Sequence, residues 1–209
     1  MELAFAAPFG LMIGSFLNVV AYRLPRGESL VSPGSHCPGC DQPIRPWDNI
    51  PVVSWLVLRG RCRSCGTRIS ARYPLVELLT AAVFAAVVLT RGLNSGLVVE
   101  LPFAAMLIAV AGIDLEHRIV PNKILVPIAV WAVGAGAVVH AHALPELLGA
   151  GAGAFAFLSG SLVGVAMLAR HGAKGRKKGV PFAPFLALGG IAALLAGHQL
   201  IHLYTHHFV

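Results

Sequence analysis

The sequence predicts an all-α polytopic membrane protein with about six transmembrane helices and a small cytoplasmic module of the zinc-ribbon kind. Three observations predict it. Of the 209 residues, 56% are apolar and only 12% charged, with a mean hydropathy of +0.76; soluble domains carry about 25% charged residues. The apolar residues gather into runs of spanning length. All four cysteines sit in the one large polar segment. This composition excludes an ordinary soluble globule, a disordered chain and a disulfide-rich secreted chain. The net charge of +7 does not point to nucleic acid, because the Lys and Arg residues cluster beside apolar spans, as membrane topology requires. The expected partner is membrane lipid.

A spanning helix takes about 20 mostly apolar residues. The runs that meet this are 3–22, 74–90, 97–115, 124–141, 146–169 and 180–200. They divide the chain into a first transmembrane helix (1–22), a cytoplasmic four-cysteine module (23–72) and a transmembrane domain (73–209). The first run lacks a basic leader and carries Arg23 and Arg26 behind it, so it reads as an anchor rather than a cleaved signal peptide. The 23 glycines imply helices that approach closely through small residues.

Orientation follows from the cations. Arg23, Arg26, Arg45, Arg59, Arg61, Arg63, Arg68 and Arg72 lie in the cysteine segment. Arg118 and Lys123 lie in a second link; Arg170, Lys174, Arg176, Lys177 and Lys178 lie in a third. Arg91 alone falls on the other side. The crowded side is assigned to the cytoplasm, which leaves the C-terminal His198, His202, His206 and His207 outside as interfacial tail residues.

The cysteine segment holds CPGC (Cys37, Cys40) and CRSC (Cys62, Cys65). Paired CxxC knuckles at this separation are the arrangement of a four-thiolate zinc site, each knuckle presenting two sulfurs to one ion. An intervening hairpin is expected to bring the pairs together. Gly39 and Gly66 suit the turns, Arg61, Arg63 and Arg68 offset the thiolate charge, and Trp47 and Trp55 cover the module or sit at the interface. Two disulfides are the alternative, disfavoured in a reducing cytoplasm. Four protein ligands leave no open position, so the role is structural.

A carboxylate at membrane depth costs roughly 2.5–3.5 kcal/mol on insertion scales. Asp114 stands at the cytoplasmic end of the third span, in GIDLEHRIVPN. It is either a functional group or an interfacial acid paired with His117 or Arg118. Glu77, in RYPLVELL, starts the second span, where the helix dipole and Arg72 can satisfy it.

GSFLNVVAYRLP (14–25), the two knuckles, WDNIPVVSWLVLRGRC (47–62), ISARYPLVELLTA (69–81), IDLEHRIVPN (113–122) and VPFAPFLALGG (180–190) closely resemble the type IV prepilin leader peptidases. The resemblance runs in order along nearly the whole chain. It implies a multi-pass enzyme of the bacterial inner membrane, an aspartic peptidase with two membrane-boundary aspartates. Such an enzyme removes the short basic leader of a prepilin or pseudopilin after a Gly, then methylates the new N-terminus with S-adenosylmethionine. It also implies that the cysteine module is associated with zinc.

Asp114 takes the place of the first catalytic aspartate, seven residues before Pro121, and Asn122 stands where the family commonly has Asp. The second family aspartate lies in a G-x-G-D motif, which this sequence lacks. A missing helix–loop–helix pair accounts both for that and for six spans where the family has eight. Losing an even number of spans preserves the charge pattern downstream. Glu116 is two residues from Asp114 and points away on a continuing helix; Glu146 begins a span at the outer face. Glu77 is the one acid at a compatible depth and the weak candidate for a second carboxyl. With Asp114 as the only matched acid, no appreciable prepilin cleavage is expected, and a catalytically inactive membrane homologue is the alternative reading. No glycine-rich nucleotide motif marks the methyl-donor site.

Overall fold

The computed structural model describes residues 2–118 and parts of 124–135 and 183–196. Among the described residues there is no strand, and three helices are long and apolar enough to cross a membrane. Helix α1 runs Glu2–Arg23, a five-residue helix α2 runs Val53–Val57, α3 runs Arg72–Arg91 and α4 runs Leu97–His117. At about 1.5 Å per residue the three long helices match a hydrocarbon core of about 30 Å. They coincide with the first three expected spans. The fourth to sixth, the basic link 170–178, Glu146 and the histidine tail fall wholly or largely outside the described residues.

The chain divides into two compact units, Met1–Leu89 and Thr90–Val209. In the first, α1 turns a stripe of Ala6, Gly10, Gly14, Leu17, Asn18 and Ala21 inward, the spacing of one helix face. Leu3, Phe5, Met12 and Phe16 are left exposed on α1, as lipid contact requires. The two glycines let α3 come very close. A Cβ on Gly10 would lie 2.6 Å from the Ala81 Cα, and one on Gly14 would lie 2.6 Å from the Glu77 Cα. Gly10-Leu-Met-Ile-Gly14 is thus a G-x-x-x-G contact, in which the bare backbone of one helix seats against another. Asn18 Nδ2 donates to the Tyr73 carbonyl at 3.1 Å, and Phe9 packs on Phe84 with ring centres 5.9 Å apart.

Arg23 does more than set topology. Its guanidinium is buried and donates to the carbonyls of Ser29 (3.0 Å), Pro33 (2.7 Å) and Gly34 (3.2 Å). The loop that leaves α1 is wound around this one cation, whose donors are met by backbone oxygens rather than by a carboxylate.

In the second unit α4 buries most of its circumference. Met106, Leu107 and Val110 form a core with Ala183 and Ala187, against which Phe103, Ile124, Ile128 and Ile191 pack. The helix ends where Arg118 takes a left-handed conformation (φ 53°) and its N–H bonds the Asp114 carbonyl at 2.9 Å, a C-terminal cap.

Candidate functional site

The cysteine module is two copies of one turn. Cys37 N–H donates to the Gln42 carbonyl (2.9 Å) and Asp41 N–H to the Cys37 carbonyl (2.8 Å). In the second copy Cys62 N–H donates to Thr67 (2.9 Å) and Gly66 N–H to Cys62 (3.0 Å). Isolated bridges His36–Pro43 and Arg61–Arg68 close the two turns at equivalent positions. Each knuckle needs a residue with positive φ just after its second cysteine, and Asp41 (φ 56°) and Gly66 (φ 72°) provide it. Gly39 lies in the first turn and also sets how closely the knuckles approach. A Cβ there would meet the Thr67 hydroxyl at 2.6 Å, so it is the point at which one knuckle presses on the other.

The expected hairpin between the knuckles is not formed. A 3-10 turn at Pro46–Asn49 and helix α2 fill the interval, because Pro46 and Pro51 interrupt any ladder. Nor is Arg63 spent on the sulfurs. It makes a forked pair with Asp48, Nε to Oδ2 at 2.8 Å and Nη2 to Oδ1 at 2.6 Å. That hydrogen-bonded guanidinium holds the Asp48 carboxyl below the usual carboxylate range. Trp55 Nε1 donates to the Ile69 carbonyl at 3.1 Å and its ring roofs Gly60, so Trp55 covers the module, while Trp47 is exposed beneath Arg45.

The four sulfurs of Cys37, Cys40, Cys62 and Cys65 all lie within 4.8 Å of one another, with Cys37 and Cys65 at 3.8 Å. All four are free thiols, so the disulfide alternative is not what the fold forms. Metal–sulfur bonds of about 2.3 Å around one tetrahedral ion require sulfurs about 3.5–4 Å apart, and the cluster can hold such an ion. The Gly39 N–H points at the Cys37 sulfur at 3.4 Å, and the Cys65 and Ser64 amides point at the Cys62 sulfur. The sulfurs differ in acidity. Hydrogen bonding with the Thr67 side chain and backbone, then with Cys40, draws Cys65 down to about 6. For Cys40 the Gln42 amide is the largest influence and favours the thiolate. Desolvation and the three neighbouring sulfurs together outweigh it and push that thiol up to about 12.

Below the module, a cavity of about 660 Å³ reaches from the cysteines to the facing surfaces of α1 and α3, with Cys37, Cys62, Trp55, Asn18, Ser15 and Glu77 in its wall. Glu77 is buried in the second turn of α3. Its Oε2 accepts the Val52 N–H at 2.7 Å, and Ser15 of α1 is a further hydrogen-bond partner. The Val52 amide was not foreseen from the sequence. It is available because Val52 takes φ 61°, ψ −50°, the geometry of a strained γ-turn, closed by Val53 N–H to the Pro51 carbonyl at 2.6 Å. A β-branched residue with positive φ is uncommon, and the carboxylate holds it in place.

Asp114, in the second unit, is buried. Its Oδ2 accepts the Ala183 N–H at 2.8 Å. The fold therefore joins two sequence blocks far apart in the chain, IDLEHRIVPN and VPFAPFLALGG, at one carboxylate. Glu116 turns to His117, 3.8 Å away. Asp114 and Glu77 belong to separate units.

Known proteins align with both halves of the chain. The model of the bacterial peptidase A24 N-terminal domain matches residues 9–91, and that of the type IV leader peptidase family matches residues 101–203. A prepilin leader peptidase/N-methyltransferase of Bacillus subtilis is 32% identical over 236 residues, covering 94% of this chain and 95% of the relative. One of Aeromonas hydrophila is 33% identical over 272 residues, covering 96% and 93%. One of Myxococcus xanthus is 49% identical over 118 residues, covering 56% of this chain and 35% of the relative. The alignments over 236 and 272 positions are longer than the 209-residue chain, so those relatives carry residues without a counterpart here. No solved structure matches the chain.

Proposed function

The chain belongs to the type IV leader peptidase family, whose function is prepilin cleavage and N-methylation, and from that premise we propose that it processes prepilin or pseudopilin leaders at the cytoplasmic face of the bacterial inner membrane. One observation carries the reading: Asp114 is buried at the end of a membrane-length helix, where the Ala183 N–H anchors one carboxyl oxygen at 2.8 Å. An aspartic peptidase needs one carboxyl that takes a proton from water and a second, protonated, that hydrogen-bonds the scissile carbonyl. Asp114 supplies one of the two. S-adenosylmethionine would serve as methyl donor.

The missing G-x-G-D segment favours a second reading, a homologue that binds prepilin without cleaving it. Glu77 is engaged with Val52 and Ser15, which supports a structural role for it rather than membership of the dyad. The experiment is leader removal from a prepilin in membranes, comparing this chain with Asp114→Asn. Slow processing that disappears in the variant is the expected result. Equal background in both would replace the first reading with the second.

The cysteine cluster is proposed to hold one zinc ion. The ion would lock the two knuckles together as a structural cross-link, with no open coordination position. Metal analysis of the purified chain should give one zinc per chain, and Cys62→Ser should lose it; metal-free protein with paired, oxidised thiols would refute the assignment.

A further inference from the structure

The segment between the knuckles is not placed where a cytoplasmic loop belongs. Val52 reaches Glu77, five residues inside α3 from Arg72, and Glu77 in turn bonds Ser15, eight residues inside α1 from Arg23. At about 1.5 Å per residue the Glu77 and Ser15 backbones lie about 7 to 12 Å below the arginines that end the two helices, and the Glu77 side chain, leaning toward the start of α3, meets Val52 nearer that end. The chain thus dips from the metal module into the mouth of the α1–α3 pair and returns.

At that depth the dip presents an apolar face outward. Helix α2 turns Ser54 and Trp55 inward, where Ser54 Oγ donates to the Trp47 carbonyl at 2.9 Å and Trp55 caps Gly60. Val53, Leu56 and Val57, at the spacing of one helix face, are 52%, 61% and 70% exposed. Trp47 and Ile50 extend the same outward apolar surface at 59% and 48%. Arg45 and Arg59, which flank the segment in sequence, are exposed, as are Arg61 and Arg68 of the second knuckle.

The geometry points to residues 47–57 as a re-entrant membrane anchor, whose occupant is the cytoplasmic leaflet of the bilayer. An apolar face with an aromatic residue and a cationic rim is the pattern of segments that lie about 5–10 Å into the headgroup–acyl boundary. The arginines meet lipid phosphates, and Trp47 sits at the level that indole favours. The anchored face is continuous in depth with the lipid-exposed Leu75, Leu78 and Leu79 of α3. The zinc module would then be held against the membrane at three points: α1, α3 and this dip.

The test uses the full chain in phosphatidylglycerol-containing vesicles, with Val57→Trp and, separately, Leu56→Trp, each required to retain the metal content of the unsubstituted chain. The emission added by the new indole is read as a difference from the unsubstituted chain. Brominated acyl chains should quench it about twofold or more, while aqueous iodide leaves it unchanged. Quenching by iodide without any effect of bromolipid would overturn the anchor. So would an indole that is open to iodide in vesicles and becomes protected only when prepilin is added, which would make the face a substrate dock. If one variant fails the metal criterion, the other decides.

Discussion

Replacing Gly14 with Ala is expected to loosen the first unit by forcing α1 and α3 apart. The added Cβ would lie 2.6 Å from the Glu77 Cα and 3.1 Å from the Thr80 Cβ and Oγ1. All three are rigid: a backbone carbon, and two atoms of a side chain locked by Thr80 Oγ1 donating to the Val76 carbonyl at 2.7 Å. Restoring ordinary contact requires a separation of about 1 Å, and overpacking of this kind costs about 1–3 kcal/mol. The same movement draws Ser15 of α1 away from the Glu77 carboxyl of α3; hydrogen bonds to charged groups contribute about 1.5–3 kcal/mol. The two effects overlap, so a loss of roughly 2–4 kcal/mol is expected. Equilibrium unfolding in mixed micelles, followed by far-ultraviolet circular dichroism, measures it. Gly112→Ala is the control, since no atom of the described residues lies within 4 Å of a Cβ there and Ala is the better helix former; it should be neutral or mildly stabilising. If Gly14→Ala falls within about 0.5 kcal/mol of the unsubstituted chain, the close G-x-x-x-G crossing is refuted.

The strained Val52 makes a paired prediction. Val52→Gly keeps the amide and relieves a conformation costing about 1–3 kcal/mol, so the melting temperature should hold or rise. Val52→Pro removes the donor to Glu77 and fixes φ near −65°, so it should fall. Cys62→Ser should abolish metal binding, read by elemental analysis, yet leave helicity nearly unchanged, because the α1–α3 contact does not depend on the sulfurs. Asp48 titrates below the ordinary range while Arg63 is bound to it, so the pair's contribution is present at neutral pH. It is lost only as the pH falls through that lowered value. Arg63→Gln should raise the carboxyl's titration from that lowered position, seen in its ¹³C shift; an unmoved titration would show that the fork is absent in solution.

Much of the site was legible because it is written in local spacing. CxxC fixes two sulfurs a knuckle apart whatever surrounds them, so the four cysteines that could hold a metal ion are recognisable from spacing alone. Likewise an isolated acid closing a long apolar run picks out Asp114. The partners of the buried acids were not legible. Glu77 was assigned the helix dipole and Arg72, but the structure gives it a backbone amide from a loop and a hydroxyl from another helix. Backbone amides carry no sequence signature, and Val52 offers its own only through a conformation that valine disfavours. Ala183 was equally invisible as the donor to Asp114. Gly10 and Gly14 did carry a signal, G-x-x-x-G in an apolar run, beyond the general expectation of small-residue packing.

By itself, the sequence determined the class of the protein, the first three spans and the gathering of the four cysteines. Hydropathy, charge asymmetry and short cysteine spacings are properties of consecutive residues, and the bilayer acts on them directly. Only the tertiary structure decided what the segment between the knuckles does. Its prolines forbid a hairpin, yet nothing in their spacing says that the chain would descend between α1 and α3 to reach a carboxylate. That depends on two glycines bringing the helices close enough for Ser15, Glu77 and Val52 to meet, which is a property of packing between residues distant in the chain.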